Sequence, residues 1–563
     1  MSDVLSAVLA AEFSGNPINV EKYYPYDTAM PPVPGYTVRL NNNGTVSKNV
    51  PLVSAQKMQD ALFSSALTAA NKPNVIATVK ISGGNYLYIA SDGSSSTGGY
   101  FAGVMTPTGV LGTKTALTGF TSDGTTSYKN LARQSKEKQL IALDSTRYLL
   151  TTVNGAASAI QGVVITVSGM TVSVGTVTTL ITTASSVFDI CELVAGSKYL
   201  LGYTLTAGGT ARCIAFSISG STITVGTELV LNALSGNINI GCCNLTTDKA
   251  LITYSETATP KTFSIVVTAS TLTLGKGTAL DMTASIPYVS GYYHNLIKVG
   301  TDKAMIITKN SGATGSAAIL TAASSTLSLS GLVTGIPTSS WGSNLSPYYL
   351  TISSGATNNY LMYSPAAAVS VQAYVLSVVV ATGVITFGAA TTTLASSTMT
   401  DCDITISSTG TIYINKGDTG LISSCTISGL TLSAVSSPQM NKYTSFLLGT
   451  YTAFDGGGGT CILVDETNNQ VLLFINATGS SKYVTQYAIV DFSRMGEYAS
   501  GVLIGLLQNN GNILLKGICD SFTGLNVGTN YSYSTVSGAV LNSGATLGFA
   551  LSSTELIVKD YLF

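Results

Sequence analysis

SKYLLGY (Ser197–Tyr203) followed by SGSTITVGT (Ser219–Thr227) is the phrase that decides the architecture. DKALITY (Asp248–Tyr254) followed by ASTLTLGKGT (Ala269–Thr278) repeats it. Each copy is a short apolar strand, a second strand, and a Ser/Thr/Gly turn into a third. Between Asn85 and about Ser437 the phrase occurs seven times. Its matching position falls at Tyr86, Tyr148, Tyr199, Ala250, Ala304, Tyr360 and Ile412, with gaps of 62, 51, 51, 54, 56 and 52 residues. Solenoid coils need only about 20–30 residues per turn, whereas propeller blades take roughly 40–50. Four strands of about 5–6 residues with their turns fill that length. The period therefore predicts an all-β fold built on a seven-bladed β-propeller.

Within a repeat, Thr222–Val225 (TITV), Thr271–Leu274 (TLTL) and Thr326–Leu329 (TLSL) alternate apolar with hydroxyl residues. Period-two alternation marks half-buried antiparallel strands. Tyr374–Phe387 (YVLSVVVATGVITF) is more apolar but is broken by Ala-Thr-Gly. It is too short for a membrane-spanning helix, which needs about 20 residues. It reads as two buried strands and a turn, despite a mean hydropathy of +0.37. The first residues, MSDVLSAVLAAEF, carry Asp3 and no basic flank, so no signal peptide is expected.

The array divides the chain into four expected regions. Residues 1–84 are an N-terminal attachment or oligomerisation region, with prolines 25, 31, 32 and 34 and two short strands in Pro34–Val46. A helix is expected over Ser54–Ala70, capped by Ser54, with Met58, Leu62 and Leu67 on one side. Residues 85–437 are the propeller, and 438–497 are a linker or a ring-closing β segment. Within the first gap, ARQSKEKQ (Ala132–Gln139) is the one dense charge cluster and reads as a solvated loop. Residues 498–563 form a small C-terminal β module.

That last module carries a resemblance. Its residues Gly524-Leu525-Asn526-Val527-Gly528-Thr529-Asn530-Tyr531 precede Gly538-Ala539-Val540, then Leu547-Gly548-Phe549-Ala550-Leu551-Ser552-Ser553-Thr554-Glu555-Leu556-Ile557-Val558. The order is similar to a small all-β module of bacteriophage tail-fibre and virion adhesin proteins, with Ser532 where a second aromatic is usual. The resemblance implies a phage virion structural protein of the tail or fibre, assembled in the host cytoplasm. Its propeller would serve host-surface glycan attachment or scaffold another adhesin. Its partners would be other virion proteins, met through the N-terminal region, and further copies of itself as a homo-oligomer. A capsid decoration or head-fibre protein and a non-viral lectin-like propeller remain alternatives, and a polysaccharide hydrolase is the least favoured.

Composition narrows the chemistry. Charged residues are 9% and the formal net charge is −1. Neither nucleic acid nor an anionic membrane is expected as a partner, since both need a basic surface. His294 is the sole histidine. It would have to serve any triad, and no G-x-S-x-G elbow accompanies it. Asp189, Glu192, Asp401 and Asp403 lie near equivalent repeat positions, but solvated or strand-edge acids are the simpler reading. Catalysis, a cofactor and a metal are therefore not expected. Cys191, Cys243, His294, Leu350 and Cys402 share one counted slot in successive repeats. A ring of metal ligands would use such a slot, but Leu350 within it favours packing, for which free cysteine is suited.

Aromatic residues are the better binding candidates. GYYHN (Gly291–Asn295) and SSWGSNLSPYY (Ser339–Tyr349) place Tyr292, Tyr293, Trp341, Tyr348 and Tyr349 in or beside turns of adjacent repeats. Aromatic faces bury a large area at low entropic cost, on a sugar or at a protein interface. The same rings could instead plug gaps between blades.

Overall fold

A computed structural model describes residues 74–91, 99–121, 140–154, 159–182, 188–205, 209–232, 237–256, 260–287, 294–309, 314–337, 348–363, 371–388, 393–395, 402–416, 421–433, 453–454, 461–468, 470–479 and 482–491. It also describes strands at 20–22, 37–40, 46–48, 53–57, 502–507, 513–519, 530–533, 540–541, 548–550 and 556–558. The chain forms two compact units, Ala55–Ile489 and a second built from Met1–Ser54 with Val490–Phe563.

The larger unit holds seven antiparallel sheets, one for each repeat, as the period predicted. The third is representative. Phe188–Val194, Lys198–Thr204, Ala211–Ser219 and Thr222–Val225 run up and down in sequence order, and Leu229–Asn232 continues the outer edge along the third strand. The first strands of neighbouring sheets pack on one another, as Phe188–Val194 does on Asn237–Asn244, so they form the inner layer of the ring.

The repeat positions all fall on second strands and are buried at 0–3% exposure. Second strands are apolar on both faces because each face meets a different neighbour. Tyr199 and Leu201 join the core between the second and third blades, whereas Leu200 joins the core between the third and fourth. Each fully buried leucine contributes about 1.5–3 kcal/mol. Fourth strands are half-buried, and Thr222–Val225 alternates outward Thr with inward Ile223 as its sequence predicted.

Two features recur at the seams. In the second, third and fifth blades the residue just before the repeat position reaches the next blade's outer hairpin. Arg147 Nη1 donates to the Gly220 carbonyl (2.6 Å), Lys198 Nζ to the Ala269 carbonyl (2.8 Å) and Lys303 Nζ to the Val380 and Ala381 carbonyls (3.0 and 2.9 Å). At or near the fourth strand in the first six blades, a glycine lies against the backbone of the next hairpin. A Cβ on Gly226 would fall within 3.0 Å of the Leu272 carbonyl oxygen, and one on Gly277 within 3.0 Å of that of Ser325. Gly112, Gly175, Gly331 and Gly388 repeat this approach in the other blades up to the sixth.

An eighth sheet lies between the seventh blade and the first. It contains Ala453–Phe454, Cys461–Asp465, Gln470–Gly479 and Lys482–Asp491, and its outer strand is Val53–Lys57 from the opposite end of the sequence. Cys461–Asp465 packs on Cys402–Ile406 of the seventh blade and on Asn74–Lys80 of the first. The stretch left open as a linker or closing segment thus contributes the sheet that completes the ring.

Three boundaries differ from the sequence reading. The first blade begins at Asn74, upstream of residue 85, because the repeat was counted from its second strand. Val53–Lys57 is a strand where the helix over Ser54–Ala70 was expected to start, since pairing with Lys482–Asp491 overrides a weak local helix signal. The rest of that helix, residues 58–70, lies outside the described residues. The two ends of the chain, read as separate regions, share one nine-stranded sheet in which Val20–Lys22 pairs with Ile513–Cys519 and Thr37–Leu40 with Val502–Leu507.

Candidate functional site

Because every blade is an up-down meander, its connections sort onto two faces. Links from first to second strand are short, as at 195–197, 245–248 and 301–302, and they share a face with the outer hairpins. On this turn face Asp144 and Arg147 pair locally. Asp144 accepts from the Thr146 and Arg147 backbone N–H groups and from Arg147 Nε, which hold its carboxyl well below the usual range. Links from second to third strand and from blade to blade emerge on the other face. They vary widely, from 257–260 to 122–139, and loops of this kind on a rigid scaffold are where binding residues concentrate.

In sequence, Tyr292 and Tyr293 fall between the fourth and fifth blades and Trp341 between the fifth and sixth. Tyr292, Tyr293 and Trp341 lie outside the described residues. Tyr348 opens the first strand of the sixth blade, opposite Tyr363. Tyr349 is 8% exposed and its ring stands edge-on to Tyr360, centroids 6.3 Å apart, within the core between the fifth and sixth blades. That ring fills a seam.

His294 precedes the first strand of the fifth blade and is 1% exposed. Burial pushes its pKa down to about 4, and its Nδ1 has no hydrogen-bond partner among the described residues. A neutral, sealed imidazole is poorly placed to exchange protons with a substrate.

Two of the four acids are used structurally. Asp189 is fully buried, and its Oδ2 accepts the Cys242 N–H at 2.7 Å, joining the inner strands of the third and fourth blades. Glu192 Oε1 accepts from the Gly196 N–H (2.7 Å) and the Tyr199 hydroxyl (2.9 Å), fixing a turn. Asp403 shares the register of Asp189, the two facing Asn415 and Gly202. Asp401 lies outside the described residues.

The counted slot separates into two layers. Cys191, Cys243 and Leu350 face Leu200, Leu251 and Leu361, each one residue past a repeat position. In the fifth and seventh blades that place belongs to Ile297 and Thr405, facing Met305 and Tyr413. Cys402 instead faces Lys416. Unequal turns and bulges, such as those between Lys298 and Gly300, defeat a fixed count. Among the described residues no group of three or more His, Cys, Asp or Glu side chains could hold a metal ion. Cys191, Cys213 and Cys242 are buried in the core between the third and fourth blades, and burial pushes the Cys213 thiol far up.

A polar strip near the loop face escaped the sequence reading. The Tyr203 hydroxyl and Arg212 Nη1 donate to the two oxygens of Glu228, while Arg212 Nε donates to Thr210 Oγ1 at 3.0 Å. Burial raises the Glu228 carboxyl pKa. Between the third and fourth blades Asn232 Nδ2 donates to Glu256 Oε1, and within the fourth blade Lys261 pairs with Asp281 at 3.0 Å. These residues do not recur from blade to blade, so the period could not reveal them. The rarity of charge in this chain was the one available signal.

No family model matches the chain, and no curated protein matches it in sequence. Among solved structures it is similar to the periplasmic gluconolactonase PpgL of Pseudomonas aeruginosa at 10% identity, covering 61% of this chain and 95% of that one, with a TM-score of 0.38. It is also similar to the Aleuria aurantia lectin AAL, solved with Fucα1-6GlcNAc, at 12% identity, 58% and 97% coverage, and a TM-score of 0.30. Prolyl oligopeptidase B of Galerina marginata gives 9% identity, 72% and 56% coverage, and a TM-score of 0.37. At these values the fold rests on the chain's own sheet order and register.

Proposed function

We propose that the chain is a non-enzymatic binding and display protein of a bacteriophage virion, presenting glycan-binding loops on one face of its ring. The observation that carries the binding role is the asymmetry of the two faces. Turn-face links are short, whereas the links from second to third strand and from blade to blade vary widely in length, and in sequence Tyr292, Tyr293 and Trp341 fall within two of the latter. Burial of His294 and the structural use of Asp189 and Glu192 support a role without catalysis. The virion setting rests on the C-terminal resemblance. A lectin-like propeller outside a virion would use the same face.

The test is an immobilised panel of bacterial surface glycans probed with the chain and with Trp341→Ala and Tyr293→Ala. Specific retention that falls at least about tenfold in either variant, or about 1.4 kcal/mol, is expected. Equal retention of all three proteins would remove the aromatic site. Immunogold labelling of virions from the source culture separates the settings. Gold at the distal tail or fibre supports attachment, gold on the capsid makes the chain a decoration protein, and unlabelled particles favour the lectin reading.

A further inference from the structure

The strands between Val20 and Lys57 behave as a donor arm. Val20–Lys22 pairs with Ile513–Cys519, Thr37–Leu40 with Val502–Leu507, and Val53–Lys57 with Lys482–Asp491. Apart from the hairpin that Thr37–Leu40 makes with Val46–Lys48, the described pairings of this arm are all with strands after residue 481. The arm thus completes two sheets otherwise built from the distant end of the chain. Without it each would present an open row of backbone N–H and C=O groups, a template for another chain.

We propose that this arm is exchanged between copies, so that one chain's Val20–Lys57 completes the closing sheet and the end sheet of a second copy. The same strand pairs form whichever copy supplies the arm, so exchange sacrifices no contact and needs only a long enough connection. Residues 58–73 join the arm to the first blade, and a chain of that length reaches roughly 50 Å when extended. Both acceptor edges lie at the far end of the sequence from the arm, so covalent continuity does not dictate which copy fills them. The partner is a second copy of this chain, and the inference stands on strand pairing whatever the loop face binds. Its consequence for binding is multivalency, which raises effective affinity by about 10²–10⁴ without new contacts.

Directly opposed residues of an antiparallel pair have Cα atoms about 4.5–5.5 Å apart, within disulfide range. Leu40 opposes Val502 and Val20 opposes Lys516. Two full-length chains with different tags, one carrying Leu40→Cys and the other Val502→Cys, are co-expressed and oxidised, with each single variant alone as a control for the native cysteines. A covalent product bearing both tags, absent from the controls, is expected. The double variant Leu40→Cys/Val502→Cys in one chain is the counterpart. A crosslink within that chain, with no mixed product from the split pair, overturns exchange. Val20→Cys and Lys516→Cys repeat the test at a second register, and failure of both pairs in both arrangements overturns the arm pairing itself.

Discussion

The seams between repeat blades and the seam that closes the ring are held by different chemistry. At the seams from the second to the third blade, the third to the fourth and the fifth to the sixth, a cation caps the neighbouring hairpin and a glycine lets two backbones touch. At the closing seam the chain uses a buried carboxylate. Asp465 is 1% exposed and accepts from Lys80 Nζ (2.5 Å), the Tyr86 hydroxyl (2.6 Å) and Asn468 Nδ2 (2.7 Å). Gln470 Nε2 donates to the same Tyr86 oxygen (2.6 Å) and to the Pro107 carbonyl (3.1 Å). On the other side Glu466 accepts the Ser408 N–H. A repeated seam can be specified by copying a repeat. The closing seam joins unlike partners and needs its own residues.

The glycine series shows where the two kinds of seam part. SGMTVSVG (Ser168–Gly175) and SGSTITVG (Ser219–Gly226) end on the packed glycine, whereas the seventh repeat reads SGLTLSAV (Ser428–Val435). The hairpin register is the same, Ser428 facing Thr431 as Ser219 faces Thr222. Val435 itself lies outside the described residues. The sheet beyond the seventh blade takes its outer strand from Val53–Lys57, so it has no third-to-fourth hairpin to approach. The sequence position is therefore released from glycine.

The largest effect should come from Asp465→Ala. It strands Lys80 and the Tyr86 hydroxyl at a buried site, and removing one partner of such a pair costs about 3–5 kcal/mol. Lys80 keeps 30% side-chain exposure, which points to the lower figure. Denaturant unfolding of the variant should show the loss. Stability within about 0.5 kcal/mol of the parent would mean that the closing seam carries little load.

Acid separates the regions next. Burial alone would raise the Asp465 carboxyl, but hydrogen bonds from Asn468, Lys80 and Tyr86 outweigh it and hold the pKa below the ordinary value. Its contribution is present above the unfolded carboxylate pKa of about 3.9 and is lost as pH falls below it. Burial lowers His294 from 6.5 to about 4. The unfolded chain then takes up that proton first, so stability falls from about pH 6.5 to about pH 4, by up to roughly 3 kcal/mol. His294→Leu should flatten the upper window and leave the lower one, while Asp465→Asn should do the reverse. Identical pH profiles for the two variants would contradict both assignments.

Gly277→Val should cost about 1–3 kcal/mol, since its added atoms meet the Ser325 backbone rather than a side chain that can rotate away. The comparison is sharpened by Val435→Gly, which should change the melting temperature little because the sheet beyond the seventh blade takes its outer strand from Val53–Lys57 instead of a third-to-fourth hairpin. A large gain from Val435→Gly would mean that the seventh seam is packed like the others.

What could be read from sequence follows the same division. The repeat positions were legible because seven copies average away local noise, and all seven are buried on second strands. The closing sheet was legible only as one of two readings of residues 438–497, and its outer strand not at all, because Val53–Lys57 and Lys482–Asp491 are far apart in sequence and carry no copy of the phrase. Ser54 looked like a helix cap because its pairing partner could not be seen locally. The aromatic site was legible only as a position in the topology. Tyr349 turned inward against Tyr360, an outcome that composition cannot distinguish from exposure. Arg212 and Glu228 meet through strands that the repeat aligns, but residues present in one blade alone leave no periodic trace.

The smallest expected effect tests the repeat seams themselves. Lys303 Nζ bridges two carbonyls of the sixth blade's hairpin, the bond to Val380 part-buried and that to Ala381 exposed. Lys303→Ala should cost about 1 kcal/mol, because a charge-assisted hydrogen bond is worth roughly 1.5–3 kcal/mol and partial exposure returns some of it to solvent. Lys303→Met keeps the apolar stem and removes the charge, so it separates packing from capping. If the cap matters, both variants lose stability together and the loss shrinks in high salt. If Lys303→Met behaves like the parent, the stem alone holds the seam. The run of Arg147, Lys198, Lys249 and Lys303 before successive repeat positions would then reflect packing length rather than charge.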